Sequence, residues 1–157
     1  MPVPQTEVTR RLERFRAAAR KAGIKLTHQR LEIFREVAST KDHPDAEAVF
    51  SGVRGRIPTV SLDTVYRTLW LLEDLGLIET LGPRRERARF DANLNCHHHF
   101  ICEHCGLVRD LENGEFDELD VPPVVERLGS VSRVSVEVRG TCRECAKKRG
   151  GGEGSGV

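Results

Sequence analysis

Two Cys-x-x-Cys pairs, Cys102/Cys105 and Cys142/Cys145, and a run of three histidines, His97-His98-His99, have the types and spacing to do chemistry in this chain. A Cys-x-x-Cys step brings two thiolates to one side of a tight turn, and two such turns complete a tetrahedron of sulfur. Zn2+ favours that closed four-coordinate geometry, and all-sulfur sites of this kind hold structure together. Two disulfides and a redox Cys-x-x-Cys are the alternatives. A reducing compartment and an odd cysteine count weigh against the first, and the duplication of the pair weighs against the second. The pairs are separated by 36 residues, so real structure must lie between them. Cys96 is left over and is expected to be buried and inert. On a strand His97 and His99 share a face while His98 points away. With Asp91 entering the strand region and Asp110 ending the next strand, that face is either a metal half-site or an exposed polar surface.

The elements that must position these groups are legible in the apolar periodicity. Val8, Leu12, Phe15, Ala19 and Ala22 recur at helical spacing before Gly23. Thr27 is placed to cap a second helix carrying Leu31, Phe34, Val37 and Ala38, and Asp45 to cap a short third one after His43-Pro44. Ser61 is placed to cap a fourth, whose stripe is Leu62, Val65, Leu69, Leu72 and Leu75, with Gly76 as its stop. The period then changes: Leu77–Leu81 and Ala88–Phe90 read as strands around Gly82-Pro83. Helices followed by a β-hairpin is the order of a winged helix-turn-helix. Beyond Asp91 the texture is β-rich. It includes a short helix predicted at Pro122–Leu128, an alternating strand on Val134, Val136 and Val138, and a flexible Gly-rich end. The expected organisation is α+β, with a winged-helix module over 1–90, a small α/β dimerisation module with a four-cysteine zinc site over 91–148, and a tail over 149–157.

Charge divides at the same place. The 157 residues carry a net +1, but residues 1–90 hold 17 Lys+Arg against 12 Asp+Glu, and residues 91–157 hold 8 against 12. A basic stretch followed by an acidic, Cys/His-rich one suggests two modules; an excess this modest fits a solvated surface as well as a DNA-binding one. No run of apolar residues approaches the ~18 needed to span a membrane. The opening MPVPQTEVTRRLERF has no apolar core of a secretory signal, so a cytoplasmic location is expected.

Gln29-Arg30, HPDAEAVF at 43–50, TVYRTL at 64–69 and CHHHFICEHCGLVRD at 96–110, together with the C-terminal Cys pair, resemble the ferric uptake regulator (Fur) superfamily over about residues 7–148. Within it the chain is most similar to the peroxide-stress regulator (PerR) branch. The resemblance implies a regulatory Fe2+ or Mn2+, one per chain, held by His43, Asp91, His97, His99 and Asp110, beside one structural Zn2+. Asp at 110, where iron-sensing members usually carry Glu, is what favours the peroxide branch. Val134 stands where many members place the histidine of a third site, so no such site is expected. The resemblance further implies that His43 and His97 are the oxidation-sensitive ligands. Their damage would release the metal, open the clamp between modules and free the DNA.

The same resemblance makes the 61–75 helix the recognition helix, with Asp63, Thr64, Tyr66 and Arg67 toward base edges. Arg84, Arg85, Arg87 and Arg89 at the wing would reach phosphate or minor groove, with His28 and Arg30 adding phosphate contacts; His104 reads as surface. The expected partners are a second copy of the chain and a double-stranded, pseudo-palindromic operator, with no membrane. The close alternative is an iron- or manganese-responsive repressor without peroxide sensing. A zinc hydrolase is disfavoured by the absence of HExxH and of a separate general base, and a thiol oxidoreductase by the paired knuckles.

Overall fold

The computed structural model describes residues 2–82 and 88–150. They form two compact units divided between Leu94 and Asn95.

The first unit is four helices and a hairpin: α1 (Gln5–Lys21), α2 (His28–Ala38), α3 (Ala46–Arg54), α4 (Leu62–Asp74), β1 (Glu79–Leu81) and β2 (Arg89–Asp91). Each of the three predicted caps is made. The side chains of Thr27, Asp45 and Ser61 accept from the backbone N–H groups of Arg30, Ala48 and Thr64, satisfying donors that the first turn leaves open. Gly23 and Gly76 follow α1 and α4 with positive φ, the conformation that ends a helix most cheaply without a Cβ. The helical stripes converge in one core, where Phe15 meets Phe34 edge-on at 5.2 Å and Ile33, Val65, Leu69, Leu72 and Phe90 are buried. β1 and β2 pair antiparallel, Glu79 opposite Asp91, which keeps Asp91 in this unit and sets the boundary after it.

One buried charge links two helices. Arg11 donates through Nε to Glu7 at 3.0 Å and through a terminal nitrogen to the Ala38 carbonyl at 3.1 Å, closing the last turn of α2. The Arg10 side chain, and then Arg11, hold the Glu7 carboxyl below its ordinary value.

The second unit is built on a three-stranded sheet ordered β4-β3-β5, where β3 is His98–Cys102, β4 Val108–Leu111 and β5 Glu137–Gly140. β3 and β4 are antiparallel neighbours; β5 returns parallel to β3 after two short helices, α5 (Gly114–Asp117) and α6 (Pro123–Glu126). The last element is α7, Arg143–Gly150. The alternating strand read at Val134–Val138 is shifted: the ladder begins at Glu137, and Val138 is one of the exposed large apolar residues of this unit, with Leu119, Val124, Leu128 and Val131. The predicted tail begins inside α7, and its residues 151–157 lie outside the described residues. Among the described residues, no helix is long and apolar enough to cross a membrane.

Replacing Arg11 with alanine strips the buried Ala38 carbonyl of its donor and should destabilise the first unit by about 1–3 kcal/mol in denaturant unfolding. The contribution of Glu7 depends on pH. Its folded-state value is depressed, so its stabilisation is present above its unfolded value and is lost as pH falls through the lowered one. The stability difference between wild type and Glu7→Gln should therefore shrink on acidification, as a pH series of unfolding curves would read.

Candidate metal centres

The four predicted zinc ligands come together. β3 and β5 run parallel with Cys102 opposite Gly140, so both strands end at the same edge of the sheet and each delivers its chain into a knuckle there. The first knuckle turns at Gly106, φ 69°, whose N–H donates to the Cys102 carbonyl. The second sits at the start of α7, with the Cys142 carbonyl accepting from Ala146. One sulfur from each of Cys102, Cys105, Cys142 and Cys145 lies within 4.8 Å of all the others, and Cys105 and Cys142 approach to 3.7 Å. A tetrahedron with Zn–S bonds of about 2.3 Å has an edge of about 3.8 Å, so the spacing fits zinc. No cysteine is in a disulfide.

Backbone N–H groups prepare the sulfurs for a cation. Those of Cys105 and Cys142 are aimed at Cys102, the latter at 3.3 Å, and they lower its thiol to about 6. Hydrogen bonding to Cys142 and Cys105 pushes Cys145 up to about 12. The two values belong to one cluster sharing protons: the sulfur facing most N–H donors ionises first, and the thiol that donates to its neighbours ionises last. A bound cation replaces the shared protons. Cys96 is not the buried residue expected from the sequence. It precedes β3 and is exposed, with its sulfur 3.6 Å from the Val134 carbonyl.

The five nitrogen and oxygen donors are prepared separately in the two units. In the first, His43 is the one non-glycine residue with positive φ (50°) among those described. Such a backbone is costly and persists where its surroundings hold it. Here Phe90 N–H donates to the Pro44 carbonyl at 3.0 Å, which stitches the His43-Pro44 bend to β2. The imidazole is buried, with Nε2 3.4 Å from Asp91 Oδ2; the other Asp91 oxygen accepts from Asn93 N–H at 2.7 Å, which fixes the carboxylate.

In the second unit His97 and His99 lie on one face, as the alternation requires, with rings 4.4 Å apart. Their Nε2 atoms approach the same oxygen of Asp110, at 3.5 and 3.6 Å. Asp110 is there because β4 pairs it directly with His99. His97 Nδ1–H donates to the Asn95 carbonyl at 2.7 Å, so the lone pair of the neutral ring is on Nε2. Separations of 3.4–3.6 Å are long for hydrogen bonds, whereas donors sharing an ion with bonds near 2.1 Å stand about 3.0–3.4 Å apart. Buried imidazole and carboxylate donors fit a divalent first-row ion.

His98, which the sequence left pointing to the other face without a role, is buried and engaged at both nitrogens, by Asp117 and by Val136 N–H. No sequence signal marks Asp117, 19 residues away.

On α4, Asp63 and Arg67 are exposed and paired at 3.0 Å, Thr64 bonds Ser61, and Tyr66 is half-buried against the core, leaving less of its ring outside than the sequence suggested. Lys25, Gln29, Arg30, Thr64 and Arg67 line a cleft of about 430 Å³ beside the start of α2. It is cationic and without an acidic lining residue, which suits a phosphate. His28 and His104 are exposed. Arg84, Arg85 and Arg87 lie outside the described residues.

Comparison with known proteins agrees with this anatomy. The sequence model of the ferric uptake regulator family matches residues 21–138. The peroxide-responsive repressor PerR of Staphylococcus epidermidis is 32% identical over 137 residues, covering 87% of this chain and 91% of that protein. Among solved structures, the ferric uptake regulator Fur of Helicobacter pylori superposes with a TM-score of 0.75 at 24% identity, over 93% of this chain and 97% of that one, which establishes the shared fold. A zinc-bound manganese uptake regulator superposes with a TM-score of 0.62 at 29% identity, over 83% and 98%. Proteins of this kind are metal-dependent transcription regulators and not enzymes. With the family model spanning most of its length and two prepared donor sets of the expected chemistry, this chain belongs to the ferric uptake regulator family.

Proposed function

We propose that this metal-dependent repressor is of the peroxide-responsive kind, held in its DNA-binding form by one Fe2+ or Mn2+ that takes His43 and Asp91 from the first unit and His97, His99 and Asp110 from the second. The observation that carries the reading is the pair of donor sets: three imidazoles and two carboxylates, four of the five buried, at spacings suited to an ion. A cation that needs both sets binds best to the arrangement that brings them together, and so shifts the chain toward it. The likeness to the staphylococcal peroxide-responsive repressor, and Asp at 110, support the peroxide branch. Ferrous iron, when bound, supplies the one-electron reduction of peroxide. His43 and His97 are the side chains that take up the damage; an oxidised ring is a poor donor, and the units lose their clamp. Manganese supports repression without that reaction.

The remaining assignments follow the same reading. Cys102, Cys105, Cys142 and Cys145 hold a structural Zn2+ and take no part in sensing. Asp63, Thr64, Tyr66 and Arg67 face the major groove, with Arg84, Arg85 and Arg87 of the wing on the backbone. The exposed apolar residues of the second unit serve a homodimer that matches a pseudo-palindromic operator in the cytoplasm.

Zinc is tested by composition and melting. The purified chain should hold one zinc per chain, and Cys105→Ser or Cys142→Ser should lose it together with the cooperative unfolding of the second unit. Zinc-free protein that melts unchanged would refute the structural role. For the regulatory ion, operator duplexes selected from random DNA should bind at least about tenfold (1.4 kcal/mol) more tightly with Mn2+ than without, and His97→Ala should abolish the difference. Peroxide should release DNA from the Fe2+ form and add oxygen to His43 or His97 in peptide mass spectra, leaving the Mn2+ form bound. A peroxide-resistant Fe2+ form would instead make the chain an iron- or manganese-responsive repressor, the reading that the manganese uptake regulator supports.

A further inference from the structure

The third imidazole of the histidine run belongs to neither donor set, yet it is among the most buried side chains of the chain, 1% exposed. We infer that His98 is a positioning residue for His97 and His99, a role that rests on the metal reading above. β3 is the central strand, and its ladder with β5 begins only at the pair His99–Glu137. His97 and His98 therefore lie before the first pair of that ladder. His98 supplies a side-chain tie there. A backbone N–H can only donate, so the Val136 N–H that lies 3.0 Å from Nδ1 fixes that nitrogen as an acceptor. The ring proton is then on Nε2, which donates to Asp117 at 3.0 Å. His99 N–H meanwhile donates to the carbonyl of the same Val136, at 3.0 Å. The residue before β5 is thus held twice, once by the backbone and once by a side chain, and the end of α5 is held through Asp117. The Phe116 ring packs edge-on against the imidazole at 5.4 Å.

Along a strand, anchoring one side chain on one face fixes the direction of its neighbours on the other. His98 locks the segment from which His97 and His99 converge on Asp110. With both nitrogens engaged by the protein, it is also withdrawn as a competing ligand, so a run of three histidines presents two.

The two variants that separate positioning from packing are His98→Phe and Asp117→Ala. The first keeps an aromatic ring against Phe116 and loses both hydrogen bonds. The second removes only a half-exposed carboxylate. Asp117→Asn, which keeps an oxygen acceptor, is the conservative control. Mn2+ binding to the zinc-loaded full chain is measured by electron paramagnetic resonance, with zinc content, melting temperature and exchange of the Val136 amide proton followed alongside. His98→Phe and Asp117→Ala should weaken Mn2+ binding about 10–100-fold, the range for partners that orient a metal ligand, with zinc retained. Asp117→Asn should recover most of that loss, and the Val136 amide should exchange faster in His98→Phe. Mn2+ affinity equal to wild type in both variants overturns the inference, as does a loss that appears only in parallel with loss of zinc. If His98→Phe sheds its zinc, Asp117→Ala decides alone. Wild-type protein that fails to bind Mn2+ at all would overturn the metal reading itself.

Discussion

Too little hydrocarbon lies inside the second unit for it to be held by apolar packing. Its buried positions among the described residues are Cys102, Val108, Cys142 and the three consecutive histidines. Small units are marginal on burial alone, and those with few buried apolar side chains gain from cross-links, metals or association. Here sulfur and nitrogen occupy the places where leucine and valine would stand in an ordinary core. The first unit is the opposite case, with aromatic and aliphatic side chains from four helices and a hairpin filling one interior. Permanent stability and metal-dependent stability are thus assigned to different stretches of one chain. Anything that binds the folded second unit and not its unfolded chain adds directly to its stability.

The two kinds of metal chemistry are kept apart by geometry. The four sulfurs gather at the ends of β3 and β5, where knuckle turns aim N–H groups at sulfur; within the same unit His97, His99 and Asp110 meet at the other end of β3. A soft donor set and a hard one on the same short strand would otherwise compete for the same ions. The backbone of His43 follows the same logic from the first unit. A left-handed histidine before proline is a position where a glycine would cost less, and the residue that stands there carries a buried imidazole beside Asp91.

Much of this was legible in the sequence because it depends on local rules. The caps at Thr27, Asp45 and Ser61, the stops at Gly23 and Gly76, and the helical stripes each follow from a few adjacent residues and are found, except that Ala22 falls just past α1 and is exposed. The four-cysteine cluster was legible from spacing; strand alternation brought out His97 and His99 with Asp91 and Asp110 nearby, and His43, far from them along the chain, entered only through family resemblance. What was missed depends on tertiary partners. The exposure of Cys96 reflects a turn ahead of β3 rather than any property of cysteine. α7 has no apolar stripe and begins where the second knuckle sets its first turn. His98 and Asp117 carry no shared motif, and only the packing of α5 beside β3 makes them partners.

The parallel pairing of β3 with β5 frees the stretch of chain between α5 and β5. Because the ladder sets where the knuckles meet, residues can be inserted or removed in that stretch at little entropic cost, roughly 0.6 kcal/mol for each doubling of a flexible loop. Leu119, Val124, Leu128 and Val131, the exposed apolar residues of the interval, lie within it. The length and the apolar surface of that stretch can therefore change without moving the four sulfurs.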